Sequence, residues 1–267
     1  AEINRAKLQK KSFAAAWDNQ FGSWEYQAVM KQDKGTEIVI DWADGTSIRM
    51  SAAQLYDLVF ESNNKWMLSA NGTLFTYEFE AIIPGLLKRW YAERQEMQRK
   101  MGDCGDNEIE RAYWDKRQLV KKINLNSLYG ALLNPGCRFF DIRIGQSVTL
   151  TGRCITKHMA AKVNDIVAGK YNHTGESIIY GDTDSVYFTA HKTLQNDIDA
   201  GKITWSKESV IALYDKIAEE MNTTFTGFMT KAFHCPHTRG SVIRAGRELV
   251  AIKGLFITKK RYAVLYY

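Results

Sequence analysis

The stretch Tyr180-Gly181-Asp182-Thr183-Asp184-Ser185-Val186-Tyr187 sets two carboxylates two residues apart between flanks of β-forming residues. Side chains alternate along an extended chain, so the spacing predicts Asp182 and Asp184 on one side and Thr183 on the other. Paired carboxylates repel each other unless a cation or hydrogen-bond donors intervene. Mg²⁺ takes a few carboxylates and completes its shell with waters and substrate phosphates, so the pair fits a phosphoryl-transfer layout. The competing reading is a polar turn in which Asp and Thr satisfy the local backbone.

Outward from this tip the chain reads as α+β, an antiparallel sheet with packed helices plus a two-helix antiparallel hairpin. Strands are predicted over Ser177 to Tyr180, Val186 to Ala190, Ser241 to Ala251 and Phe256 to Tyr266. Long helices are predicted over Gln146 to Ala168 and over Lys207 to Asn222, the latter capped by Ser206. Nearer the N-terminus, Ile38 to Trp42 and Thr46 to Met50 flank an Asp44-Gly45 turn, and Ser51 caps a short helix through Phe60. Short strands at Trp66 to Leu68 and Leu74 to Tyr77 flank Asn71-Gly72. From Pro84 to Met101, Leu87, Trp90, Met97 and Met101 recur on one helical face with Arg94 inside the stripe, either snorkelling from a core edge or aimed at a ligand. A second helix over Asn107 to Leu128 folds back after Gly102-Asp103-Cys104-Gly105-Asp106.

Composition narrows the class. The 267 residues carry a net charge of +6, and residues 81–160 hold 14 Lys/Arg against 8 Asp/Glu, so the excess sits in one region. A localised basic excess is the footprint of a polyanion partner such as nucleic acid or nucleotide phosphates, or else a solvated helical face. The four cysteines form no Cys-x-x-Cys pair, so neither a disulfide framework nor a zinc ribbon is indicated. His234-Cys235-Pro236-His237 is spaced too tightly for an ordinary tetrahedral site. The sequence has no signal-peptide pattern and no long apolar run, so a cytoplasmic location without membrane contact is expected.

Two further constellations carry chemistry. Lys122, Asn126 and Tyr129 stand at i, i+4 and i+7, on one face of a helix expected to end near Gly130. A cation, an amide and an aromatic in line can hold a triphosphate and a base; a solvated helix end is the plainer reading. Lys259-Lys260-Arg261-Tyr262 is a basic cluster in a β-rich stretch, and alternation puts Lys260 and Tyr262 on one face. Such a pair suits a sugar-phosphate edge, or protects an edge strand by charge.

In this order the segments resemble family B DNA polymerases, most closely the replicative enzymes of large tailed phages. The resemblance covers roughly Trp66 to Tyr267 and includes Ser69-Ala70-Asn71-Gly72, Ile82-Ile83-Pro84 and Arg138-Phe139-Phe140-Asp141-Ile142-Arg143. It implies that Arg94 and Lys122 bind the dNTP triphosphate, with Tyr129 beside the nascent base pair and Asn126 among the nucleotide-binding residues. It makes Asp184 the main ligand of two Mg²⁺ ions, Asp182 a supporting carboxylate and Glu248 a further acidic residue near the metals. Lys260 and Tyr262 would hold the DNA primer-template. The implied organisation is an N-terminal segment over 1–60 without family match, strands leading into a palm over 61–83, fingers over 84–129 and palm over 130–267.

The departures matter as much. The family's upstream palm motif, Asp-x-x-Ser-Leu-Tyr-Pro-Ser, whose aspartate joins Asp184 in holding the metals, does not occur in these residues. Gln98 stands where many relatives carry a second fingers cation, with Arg99 and Lys100 as substitutes, and Leu133 replaces a family glycine. The family's thumb and exonuclease regions are likewise not expected within these 267 residues. The expectation is a split subunit, inactive until a second polypeptide supplies the missing motif; that partner would carry the exonuclease and could carry the thumb. The alternative is a truncated or relic polymerase fragment that binds nucleic acid without catalysis. In the split-subunit reading, residues 1–60, whose composition suits folding, would be a place for the partner to dock.

Overall fold

The fold is α+β, and its strands come in local pairs. A computed structural model describes residues 23–267, with side chains from Gln27 onward. The readings made on residues 1–22 lie outside the described residues. The first elements are α1 (Ser23–Gln32), β1 (Glu37–Asp41), β2 (Ser47–Ser51) and α2 (Ala52–Tyr56), which runs into a π-helical turn over Asp57–Glu61. Then come β3 (Trp66–Leu68), β4 (Leu74–Thr76), α3 (Ile82–Asp103), α4 (Glu108–Leu132) and α5 (Ile142–Ala168). The last are β5 (Ile178–Asp182), β6 (Ser185–Phe188), α6 (His191–Asp199), α7 (Lys207–Phe233), α8 (His237–Gly240), β7 (Ala251–Thr258) and β8 (Arg261–Tyr266).

Each strand pairs with its neighbour in sequence, giving four two-stranded sheets among the described residues rather than one continuous sheet. Ser51 caps α2 as expected: its hydroxyl accepts from Gln54 N, and the Gln54 side chain accepts from Ser51 N. Other boundaries differ. α3 starts at Ile82, which leaves Pro84 in the first turn, where a missing N–H has no intrahelical partner to lose. α4 continues through Gly130 to Leu132. α7 passes Asn222 and ends at Phe233, because Phe225, Phe228, Met229, Ala232 and Phe233 continue its buried stripe. No strand forms before Ala251 in the predicted Ser241 to Ala251 stretch. There α7 holds the backbone at Ala245, since Asn222 both donates to Ala245 O (2.9 Å) and accepts from Ala245 N (2.7 Å).

The chain divides into two compact units, one made of residues up to Leu74 with Thr149–Tyr267, the other Phe75–Val148. In the first, Met30, Ile38, Ile40, Leu55, Val59 and Leu68 form one buried cluster. A second joins Cys154 and Ala161 of α5 to Phe228, Met229 and Phe233 of α7. A third packs Ile178 and Phe188 of the β5–β6 pair on Val163, Ile217, Met221 and Phe225. In the other unit α3 and α4 pack as a hairpin, with Leu87, Trp90, Met97 and Met101 half-buried. Across it Lys121 pairs with Glu93, and Lys100 lies 4.7 Å from the Trp114 ring centroid. No helix of the described residues is long and apolar enough to cross a membrane.

His158, on α5, is 4% exposed and lies flat on Phe228, with centroids 4.1 Å apart and planes 6° from parallel. Its Nδ1 is 2.7 Å from the Tyr171 hydroxyl and its Nε2 3.1 Å from that of Thr224. Burial, with a smaller effect from Lys162, pushes its pKa from 6.5 down to about 4. The unfolded chain therefore binds this proton before the folded one does. The stabilisation is complete above pH 6.5 and is lost as pH falls through 4, by roughly 3 kcal/mol at 1.36 kcal/mol per unit. Urea denaturation across this range should show that loss, and His158→Gln should make the slope between pH 6.5 and 4 shallower.

Candidate functional site

The β5–β6 register pairs Tyr180 with Tyr187, Gly181 with Val186 and Asp182 with Ser185, so Thr183-Asp184 is a two-residue turn. Thr183 has φ 50, the left-handed conformation that lets a two-residue loop follow strand twist. Strand alternation thus stops at Asp182, which corrects the expectation that it governs Asp184. Asp182 accepts from the Thr183 hydroxyl at 3.1 Å, and the Ser185 hydroxyl donates to Asp182 O at 3.2 Å. Thr156 reaches in from α5, its Oγ1 being 2.9 Å from Thr183 O and 3.1 Å from Gly152 O, so one proton serves both carbonyls. Asp184 is exposed and has no ion pair or side-chain hydrogen bond among the described residues.

The second element at this tip is the β7–β8 hairpin. Thr258 pairs with Arg261, so Lys259-Lys260 is its turn, and Lys260 has φ 62. The expected strand over Phe256 to Tyr266 is therefore two strands, and simple alternation does not relate Lys260 to Tyr262. Gly254 lies inside β7, where an added Cβ would come 2.8 Å from Phe256 Cε2. The two hairpins meet through aromatic rings: Tyr180, Tyr187, Phe256 and Tyr262 have pairwise centroid distances between 5.2 and 5.9 Å.

Polar contacts reinforce this cluster. The Tyr187 and Tyr262 hydroxyls are 2.9 Å apart, and Lys260 N donates to the Tyr180 hydroxyl at 2.8 Å. The hydrogen bond with Tyr262 is the first cause of a Tyr187 pKa pushed up to about 12; burial follows, and nearby negative charge on Glu248 adds to it. Lys260 Nζ lies 3.9 Å from Asp182 Oδ2. Asp182, Lys260 and Tyr262 are thus brought together, with the exposed Glu248 close enough to act on Tyr187. No group of three or more His, Cys, Asp or Glu that could hold an ion occurs among the described residues. The carboxylates offer hard oxygen donors suited to a divalent cation, but too few to enclose one by themselves.

The helical hairpin holds the other candidates. Arg94 is half-buried, and its Nε donates to Gln118 Oε1 at 3.1 Å. Gln118 and Lys122 are one turn apart on α4, so Arg94 reaches the face that continues through Asn126 to Tyr129. Arg94 and Lys122 have no carboxylate partner among the described residues, whereas Arg99 pairs with Glu96 (2.8 Å) and Asp103 (3.2 Å), and Lys100 with Glu96 (3.8 Å). Lys122 and Asn126 are exposed; the Tyr129 hydroxyl donates to Gly145 O at 3.2 Å. Leu133 packs on Gly145 so closely that an added Cβ there would sit 1.9 Å from its Cδ2. Sequence reasoning missed Thr156, which carries no local signal, and the roles of Tyr180 and Tyr187, whose positions flanking the acidic pair were the available clue.

Residues 46–229 match DNA polymerase family B. DNA polymerase 1 of Pyrococcus abyssi is 27% identical over 194 residues, 73% of this chain and 21% of the relative. The DNA-directed DNA polymerase of Escherichia phage RB69 is 30% identical over 157 residues, 55% of this chain and 17% of the relative. The DNA polymerase delta catalytic subunit of Oryza sativa subsp. japonica is 30% identical over 190 residues, 70% of this chain and 15% of the relative. The chain spans about a fifth of the length of these curated relatives, or less. With well over half of its residues matched, the chain belongs to DNA polymerase family B.

Proposed function

We propose that these residues supply the dNTP-binding fingers and part of the palm of a DNA-directed DNA polymerase of the phage replicative kind. The observation that carries this reading is the acidic tip, where Asp184 stands exposed on a turn pinned by Thr156 beside Lys260 and Tyr262. The ordered motif set and the phage RB69 relative support the phage kinship. Arg94 and Lys122 would neutralise the triphosphate, Asn126 and Tyr129 would border the nascent base pair, and Lys260 and Tyr262 would bear on the primer-template. Asp184, with Asp182 and Glu248, would hold Mg²⁺, which when bound lowers the pKa of the attacking hydroxyl and stabilises the leaving phosphates. The remaining ligands would come from substrate and from a carboxylate outside these 267 residues, in the same polypeptide or a second one.

Primer extension tests this directly. The 267 residues alone, with Mg²⁺ and dNTPs, should extend nothing, and a polypeptide carrying Asp-x-x-Ser-Leu-Tyr-Pro-Ser should restore extension unless Asp184 is replaced by Ala. Robust extension without that motif would refute the shared site, and failure of every motif-bearing partner would favour a non-catalytic nucleic-acid binder.

The fingers assignment makes a separate prediction. Lys122→Ala should weaken dNTP binding in the assembled polymerase while changing stability by no more than about 0.5 kcal/mol, because the lysine is exposed. Arg94→Ala should weaken dNTP binding too and cost stability by about 1 kcal/mol, since it also loses the bond to Gln118. Thermal melts beside dNTP titrations check both, and normal dNTP binding by either variant would remove that residue from the site.

A further inference from the structure

Away from the acidic tip, a cavity of about 490 Å³ opens where the C-terminal part of α5, the loop over residues 169–177 and the start of α6 converge. Ser177 lines it and is 2% exposed, yet its hydroxyl has no hydrogen-bond partner. The serine is held firmly: its N–H donates to Asn164 Oδ1 at 3.2 Å, and its carbonyl accepts from Thr189 N at 2.8 Å. A buried hydroxyl left unpaired costs on the order of 1–3 kcal/mol, a cost that a bound polar group removes.

The same cavity is bordered by the N-terminus of α6. Its cap position is Ala190, whose methyl group cannot accept a hydrogen bond, and Thr189 Oγ1 accepts from His191 N at 3.2 Å. The N–H groups of Lys192 and Thr193 have no acceptor among the described residues. Helix N-termini with free N–H groups favour oxyanions. Lys170 and Lys192 line the cavity as well, against one lining carboxylate, Glu176, which lies 3.3 Å from Lys192. The volume exceeds that of a lone phosphate and falls in the range of small-molecule pockets, about 300–1,000 Å³. Asn172, Thr174 and Thr189 make the remaining wall polar, which suits hydroxyl groups.

We propose that this cavity binds a small phosphate ester with a polyhydroxylated body, of the sugar-phosphate class. The phosphoryl group sits at the α6 N-terminus beside the lysines, and Ser177 supplies the missing hydrogen bond. The site is built from residues 164–177 and 189–193 and takes no part in the acidic tip.

Calorimetric titration of the chain with ribose 5-phosphate, and separately with inorganic phosphate, tests the proposal at constant ionic strength. Ribose 5-phosphate should bind saturably and more tightly than inorganic phosphate. Ser177→Ala should weaken binding by at least about tenfold, the scale of a hydrogen bond to a charged group, while its melting temperature without ligand is unchanged or higher. Lys170→Ala should also weaken binding. The absence of saturable binding at millimolar ribose 5-phosphate, or binding equally tight in Ser177→Ala, overturns the proposal. Ser177-dependent binding of a single-stranded oligonucleotide without ribose 5-phosphate binding also overturns it, in favour of a nucleic-acid backbone contact.

Discussion

A neutral imidazole in the seam between α5 and α7 ties the acidic tip to the core. His158 lies against Phe228 on one side of α5, and Thr156, two residues earlier, projects to a nearly opposite side and holds the Thr183 carbonyl. One helix therefore faces the hydrophobic interior and the exposed turn at once. The β5–β6 pair depends on the same seam, since Ile178 and Phe188 pack on the cluster that Val163 of α5 and Phe225 of α7 share. A shift of α5 would carry both the core contact and the turn with it.

The tip needs this support because two-stranded ribbons are marginally stable by themselves. Ladder hydrogen bonds in such a ribbon are open to water on both edges. Here the β5–β6 and β7–β8 ribbons share four aromatic rings and the hydrogen bond between Tyr187 and Tyr262. Large rings bury much apolar area at little rotamer cost, which suits a joint that has few aliphatic residues. The hydroxyls stay satisfied by each other or by the Lys260 backbone, so burial leaves no polar debt.

Local signals made much of this architecture readable in advance. The Asp44-Gly45 turn, the Ser51 cap and the stripe of Leu87, Trp90, Met97 and Met101 each express a rule that acts over a few residues. The acidic pair and its place at a tip between two strands were also legible, although the confinement of the turn to Thr183-Asp184 was not. The β7–β8 turn was misplaced because Gly254 looks like a turn residue and Lys259-Lys260 does not; the glycine instead makes room for the Phe256 ring. The long reach of α7 was hidden by Thr223-Thr224, weak helix formers overruled by a buried face. Thr156 and Thr183 are 27 residues apart, and Tyr187 and Tyr262 are 75 apart, so no local pattern could join them.

Thr183 and Lys260 share an uncommon property: each occupies left-handed backbone at a hairpin tip, where glycine would rest without steric cost. A residue with a Cβ raises the energy there by about 1–2 kcal/mol, and a β-branched one is the more confined. The same bulk narrows the range of shapes that each tip can sample. Glycine would give two supple loops; threonine and lysine give two stiff ones, held where the Lys260 ammonium approaches Asp182. Any molecule meeting this edge therefore encounters a surface already shaped, and little motion has to be frozen out when contact is made.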